Sequence, residues 1–385
     1  MSQAPHLLTH EIGSLAKPPW LVKISAGRPL DDSDMEHAQS WGSRLGVPGH
    51  DALVELLQRE NGRHTEEIAA WSSRYAVRLL ESAGLDVVYD GEQQRSEMYA
   101  WAVAHANGFE PRGTVRSFDN KYYSKSAVTG PVSLREPYHN TEFAFLQSVA
   151  DARLKIPVTG AYTLAIWSYD EHHAALRGRL GGGASRAAEI GARRELALDI
   201  ARSLIRPNLQ ALIELGAEWI QIDEPGASTE VDELEVFVES FNASVEGLDC
   251  FFSTHLCFSD YDLFFPAIEG MSGCRQYCVG FANYDTRSLG TSEDARPGYR
   301  VIRRFRDLPY EPMLGLGVLD IHTDFIEPPE LVRDRILYAV EVFGDPARIH
   351  VTPDCGLRTR SWEVAYEKLV NMVEGTRLAE QTLAG

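Results

Sequence analysis

Residues Trp219–Pro225 read WIQIDEP and Cys250–Cys257 read CFFSTHLC. Each is a short apolar run that closes on polar residues. Such runs are how strands covered on both faces read, as in a parallel sheet. Between them Val231–Val245 carries helical spacing, and before them Ala188–Leu215 is rich in Ala, Leu, Arg and Glu, enough for one long helix or two. Gly216 stands just past that pattern, where a helix-terminating glycine belongs. The local reading is therefore helix, strand, helix, strand.

The same rhythm extends through the chain. Further runs lie at His10–Ser14 (HEIGS), Leu85–Glu92 (LDVVYDGE), Ile156–Tyr162 (IPVTGAY), Gln276–Ala282 (QYCVGFA), Met313–Asp320 (MLGLGVLD) and Ile349–Gly356 (IHVTPDCG). Helical patterns fall at Thr65–Ser82, with Gly84 after it, and at Glu330–Phe343 and Ser361–Thr376. Eight strand–helix units predict an α/β fold of the (β/α)8 TIM-barrel type, one barrel over residues 1–385; a doubly wound open sheet is the runner-up. Two connections are unusually long. Gln93–Lys155 carries Phe109, Phe118, Tyr122, Tyr123 and Tyr138 and is expected to fold over the C-terminal face. Asn283–Pro312 is expected to be a mobile lid.

Composition narrows the functional classes. The 385 residues hold 37 Lys+Arg against 56 Asp+Glu, a formal charge of −19. That balance argues against nucleic-acid and anionic-membrane partners, because phosphates require Lys and Arg to replace their counterions. An anionic ligand would have to be met locally, with Arg116, Lys121 and Lys125 as candidates. There is no signal-peptide pattern and no apolar run of membrane-spanning length. Five cysteines in so long a chain do not make a disulfide framework. A cytoplasmic location is the expectation.

In barrels of this type active sites sit at the C-terminal ends of the strands. Those ends carry Ser14, Glu92, Tyr162/Thr163, Asp223/Glu224, His255/Cys257, Gly280, Asp320/His322 and Cys355. His255 and Cys257 are two apart, so an extended strand presents both on one side. With Cys355 they offer a soft N/S donor set suited to Zn²⁺, with a position left open. The alternative is that all three are ordinary interior residues. Cys250, Cys274 and Cys278 read as core. Zinc with two thiolate ligands suits binding and ionising a substrate thiol better than activating water. That suggests alkyl transfer to sulfur; hydrolysis by a zinc-bound water is the competing metal chemistry.

Glu92 and Asp223 are positioned to hold an ammonium group, and Ser14 a carboxylate; the alternative is that both acids pair with arginines such as Arg95. His322 is a natural general acid, because its unperturbed pKa lies near neutrality. The alternative is a loop histidine bonded to backbone. With His322, Asp223 makes up the catalytic candidates.

These segments resemble a known family. IGSL (Ile12–Leu15), DGEQQR (Asp90–Arg95), VTGAYTLAIWS (Val158–Ser168), IQIDEPG (Ile220–Gly226), HLCFSDY (His255–Tyr261), VLDIHT (Val318–Thr323) and PDCGLRTR (Pro353–Arg360) are similar, in order, to the catalytic C-terminal zinc domain of cobalamin-independent methionine synthase. The resemblance implies a (β/α)8 barrel. It further implies that His255, Cys257 and Cys355 ligate zinc, and that Ser14, Glu92 and Asp223 hold homocysteine. His322 would protonate the leaving group, and Trp167 would lie near the methyl donor.

The chain departs from that family in two ways. The full enzyme's N-terminal barrel has no room here, so the chain resembles short single-barrel members. Some of those take the methyl group from a corrinoid or its protein rather than from a folate. In addition, QYCVGFANYD puts Gly280 or Phe281 where the family has a zinc-ligating Glu. Either the metal keeps three protein ligands, or Cys278, Asp285 or water takes the place. The expected function is zinc-dependent methyl transfer to a thiol, foremost homocysteine, from a corrinoid or folate donor. The alternative is the reaction of the similar epoxyalkane:coenzyme M transferase group, in which another thiol opens an epoxide.

Overall fold

The computed structural model describes residues 5–59, 65–116, 122–176 and 185–385. Six parallel strands form one sheet. In chain order they are Ile156–Thr159, Trp219–Asp223, Phe251–Leu256, Cys274–Val279, Met313–Gly317 and Ile349–Thr352, each paired with its neighbour in sequence. Immediately upstream of the first, Arg153–Leu154 pairs in parallel with Val87–Val88. Val87 also bridges His10, and Thr9 bridges Val351. The parallel pairings therefore pass through all eight expected runs and return to the eighth, the strand order of a (β/α)8 barrel.

The first run is shorter in the sheet than expected. Of His10–Ser14 only His10 pairs, together with Thr9 before it. Beyond that point the backbone leaves the ladder, and side chains from other strands satisfy its carbonyls. The Ile12 carbonyl accepts from Lys155 Nζ at 3.0 Å and from Gln221 Nε2 at 2.7 Å. A buried backbone acceptor must be paired somewhere, and here the barrel interior supplies the donors.

The helices read from the sequence form, three more (Pro19–Ser25, Asp32–Leu45 and His50–Arg59) precede them, and the last runs on to Ala384. Thr65–Ser82 forms as expected, and Gly84 and Gly216 both adopt positive φ just past helix ends. The long pattern from Ala188 resolves into Arg186–Ile200, a π-helical turn at Ala201–Ile205 and Arg206–Glu214. Pro207 lacks an amide hydrogen, and the wider turn before it absorbs the missing bond.

The two long connections are more ordered than loops. The first contains the helix Met98–Ala104, an antiparallel hairpin of Ala106–Arg116 with Tyr122–Leu134, and the helix Asn140–Val149. The hairpin also pairs in parallel with Tyr169–Asp170, just beyond the third barrel strand's mouth, which keeps it on the C-terminal face. Phe118 and Lys121, and the Gly181–Gly183 turn, lie outside the described residues. The second connection is pinned rather than free. Buried Arg296 pairs with Asp285 at 2.5 Å and donates to the Ser288 carbonyl, and Arg335 adds a second bond to Asp285 at 3.1 Å. An ion pair buried this deeply is costly to open, so it ties Asp285 and Arg296 of that segment to the barrel.

The barrel interior is polar in its middle layer. Lys155, Gln221 and Gln276 are fully buried. Trp219, Gln221 and Asp223 share one face of the fourth strand, so the layer rises from an aromatic floor, where Trp219 meets His10 edge-on at 4.9 Å, to the carboxylate at the mouth. Among the described residues no helix is long and apolar enough to cross a membrane.

Candidate active site

The fifth strand ends at Leu256, which carries His255 and Cys257 to the mouth, and the eighth ends at Thr352, three residues before Cys355. The structure brings the three together. His255 Nε2 lies 3.3 Å from Cys355 Sγ, Cys257 Sγ lies 3.5 Å from Cys355 Sγ, and the three donor atoms all lie within 4.8 Å of one another. Tetrahedral zinc with Zn–S bonds near 2.3 Å separates two sulfurs by about 3.8 Å, so the donor set matches the size of that ion once the three side chains close on it.

Local bonds prepare these donors. The Cys278 carbonyl, 3.1 Å from His255 Nδ1, can only accept, so Nδ1 bears a hydrogen and Nε2 is the ring nitrogen left facing the two cysteines. The Cys355 thiol donates to Cys257 Sγ and, with His255, holds Cys257 well below the usual thiol pKa, while Cys355 is pushed up. The remaining cysteines behave as core. Burial pushes Cys250 up to about 11 and Cys278 up to about 12, and Cys274 is raised in the same way.

The corner where the resembled family has a glutamate is already filled. A Cβ on Gly280 would sit 2.9 Å from Asp354 Cβ. Asp354 accepts amide hydrogens from Phe281 at 3.1 Å, Ala282 at 3.0 Å and Asn283 at 2.7 Å, and so shapes the turn after the sixth strand. Neither suggested substitute is placed to replace that ligand. The Cys278 thiol faces the amides of Gln276 and Gln221 inside the barrel, and Asp285 is engaged by two arginines. Among the described residues His255, Cys257 and Cys355 form the sole candidate metal cluster.

Asp223 has no arginine partner among the described residues, and Glu92 has a long ion pair to Arg95. Arg95 is committed to Glu142, with bonds of 2.9 to 3.1 Å, and stands 3.9 Å from Glu92. Glu92 adopts φ +64°, a conformation that costs a side-chain-bearing residue on the order of 1 kcal/mol or more and is common where function imposes geometry. Asp90 holds this turn by accepting from the Glu92 amide at 2.9 Å and from Ser73 Oγ at 2.6 Å. Asp223 is 8% exposed, and burial raises its carboxyl to about 6. One of its oxygens accepts from Gln221 Nε2 at 2.7 Å.

Ser14 lies against the residue after Cys355: a Cβ on Gly356 would come within 2.5 Å of Ser14 Oγ. Trp167 ends the short helix Ala161–Ile166 that follows the third strand, its ring 6.5 Å from Tyr99. Buried Glu224 caps that helix, accepting from the amides of Tyr162 and Thr163 and from Thr163 Oγ1. His322 is exposed at the rim. Its own amide donates to Asp320, and its ring meets Phe258 edge-on at 5.1 Å.

Sequence reasoning missed two features here. Phe258 and Tyr284 stack at 5.2 Å and 17°, both substantially exposed beside the cysteine pocket. They come from different strand ends, and no spacing links them. Gln221 was also missed, although its parity with Asp223 places both on one face of the strand.

A parallel α/β barrel that gathers a His/Cys/Cys cluster and carboxylates at its C-terminal mouth defines the class, a barrel enzyme with its site at the strand ends. Comparison with known proteins assigns the family. Residues 49–378 match the model of the cobalamin-independent synthase catalytic domain, and the chain belongs to that family. It is a methyltransferase. A methionine synthase of Thermoplasma acidophilum is 33% identical, over 95% of this chain and 96% of its own length. One from Thermococcus kodakarensis is 31% identical, over 99% and 96%. The fold matches a B12-independent methionine synthase from Shewanella sp. W3-18-1, solved with selenomethionine, at a TM-score of 0.71 and 21% identity over 98% of this chain and 99% of that one.

Proposed function

We infer that this protein transfers a methyl group to the thiol of homocysteine, with zinc held by His255, Cys257 and Cys355. The observation that carries the reading is a soft three-donor pocket together with two carboxylates at the mouth, Asp223 held by a neutral amide and Glu92 only 3.9 Å from an arginine whose close bonds go to Glu142. A thiol and an ammonium group on one small molecule satisfy both. Zinc, when bound, would hold the substrate sulfur and favour its thiolate form.

In this reading Ser14 meets the substrate carboxylate, while Glu92 and Asp223 fix its amino group and so aim the sulfur. The sulfur lone pair forms the new S–CH₃ bond as the bond from methyl to donor breaks, and the donor keeps that electron pair. Trp167, and the exposed stack of Phe258 on Tyr284, give a planar donor (a folate or a methylated corrinoid) aromatic faces to pack against. His322 at the rim supplies a proton to a leaving group that needs one.

The test is purified protein assayed for bound zinc and for methionine formed from homocysteine with methylcobalamin or methyl-folate. A folded protein that takes up no zinc would refute the mechanism. The filled corner at Gly280 supports a second reading, in which another thiol such as coenzyme M opens an epoxide. A sulfonate thiol would gain nothing from two carboxylates, and that weighs for the amino acid.

A further inference from the structure

The middle layer of the barrel bears directly on the acid at the mouth. Gln221 is fully buried, and its amide is used at both ends. Its Oε1 accepts from Lys155 Nζ at 2.7 Å, and its Nε2 donates to Asp223 Oδ1 and to the Ile12 carbonyl, each at 2.7 Å. An amide flipped by half a turn would set its donor against the lysine ammonium and its oxygen against the carboxylate. Lys155 therefore dictates the orientation of Gln221, and Gln221 dictates which Asp223 oxygen is occupied.

Lys155 itself is anchored by the backbone. It donates to the Glu11 and Ile12 carbonyls, and Glu11 Oε1 lies 3.7 Å from its Nζ. Both Glu11 carboxylate oxygens are buried without a hydrogen-bond partner, and burial raises that carboxyl to about 7. The consequence is electrostatic. A lysine placed directly on Asp223 would cancel the charge that a substrate ammonium needs. A neutral amide between them holds Asp223 by one oxygen and leaves its charge for the ligand.

We propose that Gln221, oriented by Lys155, is the positioning residue that makes Asp223 a selective acceptor for the amino group of the thiol substrate. The proposal rests on the homocysteine reading above and adds to it the source of amino-acid selectivity. Gln221 bonds none of the three thiol-pocket residues, and the Ile12 carbonyl it also serves keeps its bond from Lys155, so its removal should be felt chiefly at the amino group.

The experiment is calorimetric titration of zinc-loaded protein with homocysteine and with 4-mercaptobutanoate, which keeps the thiol and carboxylate and lacks the amine. Wild type should prefer homocysteine. Gln221→Leu should weaken homocysteine binding by about tenfold or more, the scale of one hydrogen bond to a charged group, and leave 4-mercaptobutanoate binding and zinc content unchanged. Gln221→Glu, which sets a second acid against Asp223, should show the same selective loss. In an Asp223→Asn background Gln221→Leu should cost nothing further. Equal weakening of both thiols, or a preference that survives both substitutions, overturns the positioning role. A wild type that binds zinc and 4-mercaptobutanoate but shows no preference for homocysteine overturns the amino-acid reading itself.

Discussion

Each of the three thiol-pocket residues contributes one donor, and none of them has a substitute nearby. Cys355→Ala and His255→Ala should therefore lose bound zinc on dialysis while keeping the far-UV circular dichroism of the fold; metal analysis of the dialysed protein checks this. His322 is different, because it stands at the rim with its ring against Phe258 rather than in the pocket. A folate leaving group needs a proton and a cob(I)alamin leaving group does not. His322→Ala should then cost about a hundredfold or more in kcat with methyl-folate, the usual worth of a general acid, and little with methylcobalamin. Equal losses with both donors would mean that His322 positions something instead.

The short helix Ala161–Ile166 carries Trp167 and depends on Glu224 for its first turn. Glu224 is buried among the donors it satisfies, and burial raises its carboxyl to about 7. Its unfolded value is near 4.5, so between roughly pH 4.5 and 7 the folded state holds a proton that the unfolded state has lost. Stability from this group therefore falls as pH rises through that window, by on the order of 3 kcal/mol. Wild type should lose stability relative to Glu224→Gln between pH 5 and pH 8, as read by denaturant midpoints at each pH. The site also constrains the strand before it. A Cβ on Gly160 would collide with the Glu224 carboxylate, so Gly160→Ala should lower the melting temperature and alter the Trp167 environment seen in fluorescence.

We infer that the chain is one folding unit, because the strand pairings pass round the ring and rejoin through Thr9 and Val351. Denaturation should then show one transition by fluorescence and circular dichroism alike, and two separated transitions would refute the single unit. Zinc that binds only the folded chain should raise that transition by mass action, about 2.7 kcal/mol at a free concentration one hundred times its Kd.

The barrel and the thiol pocket were legible early because both depend on short-range rules. Parallel strands are continuous apolar runs, helices announce their period and their terminal glycines, and an H-x-C spacing puts two donors on one side of a strand whatever surrounds it. Other outcomes depended on which residues distant in the chain become neighbours. Local sequence does not show that Ile12 leaves the ladder for Lys155 and Gln221, or that Asp354 fills the corner beside Gly280. It likewise does not show that Arg296 and Arg335 pin the segment expected to be mobile, or that Phe258 stacks on Tyr284. Hydrophobic period and residue spacing are properties of the chain itself, so the sequence determined the strand count and the donor set. Charge compensation and the filling of space are settled between strands, so only the tertiary structure decided which carboxylate stays free and which is already spoken for.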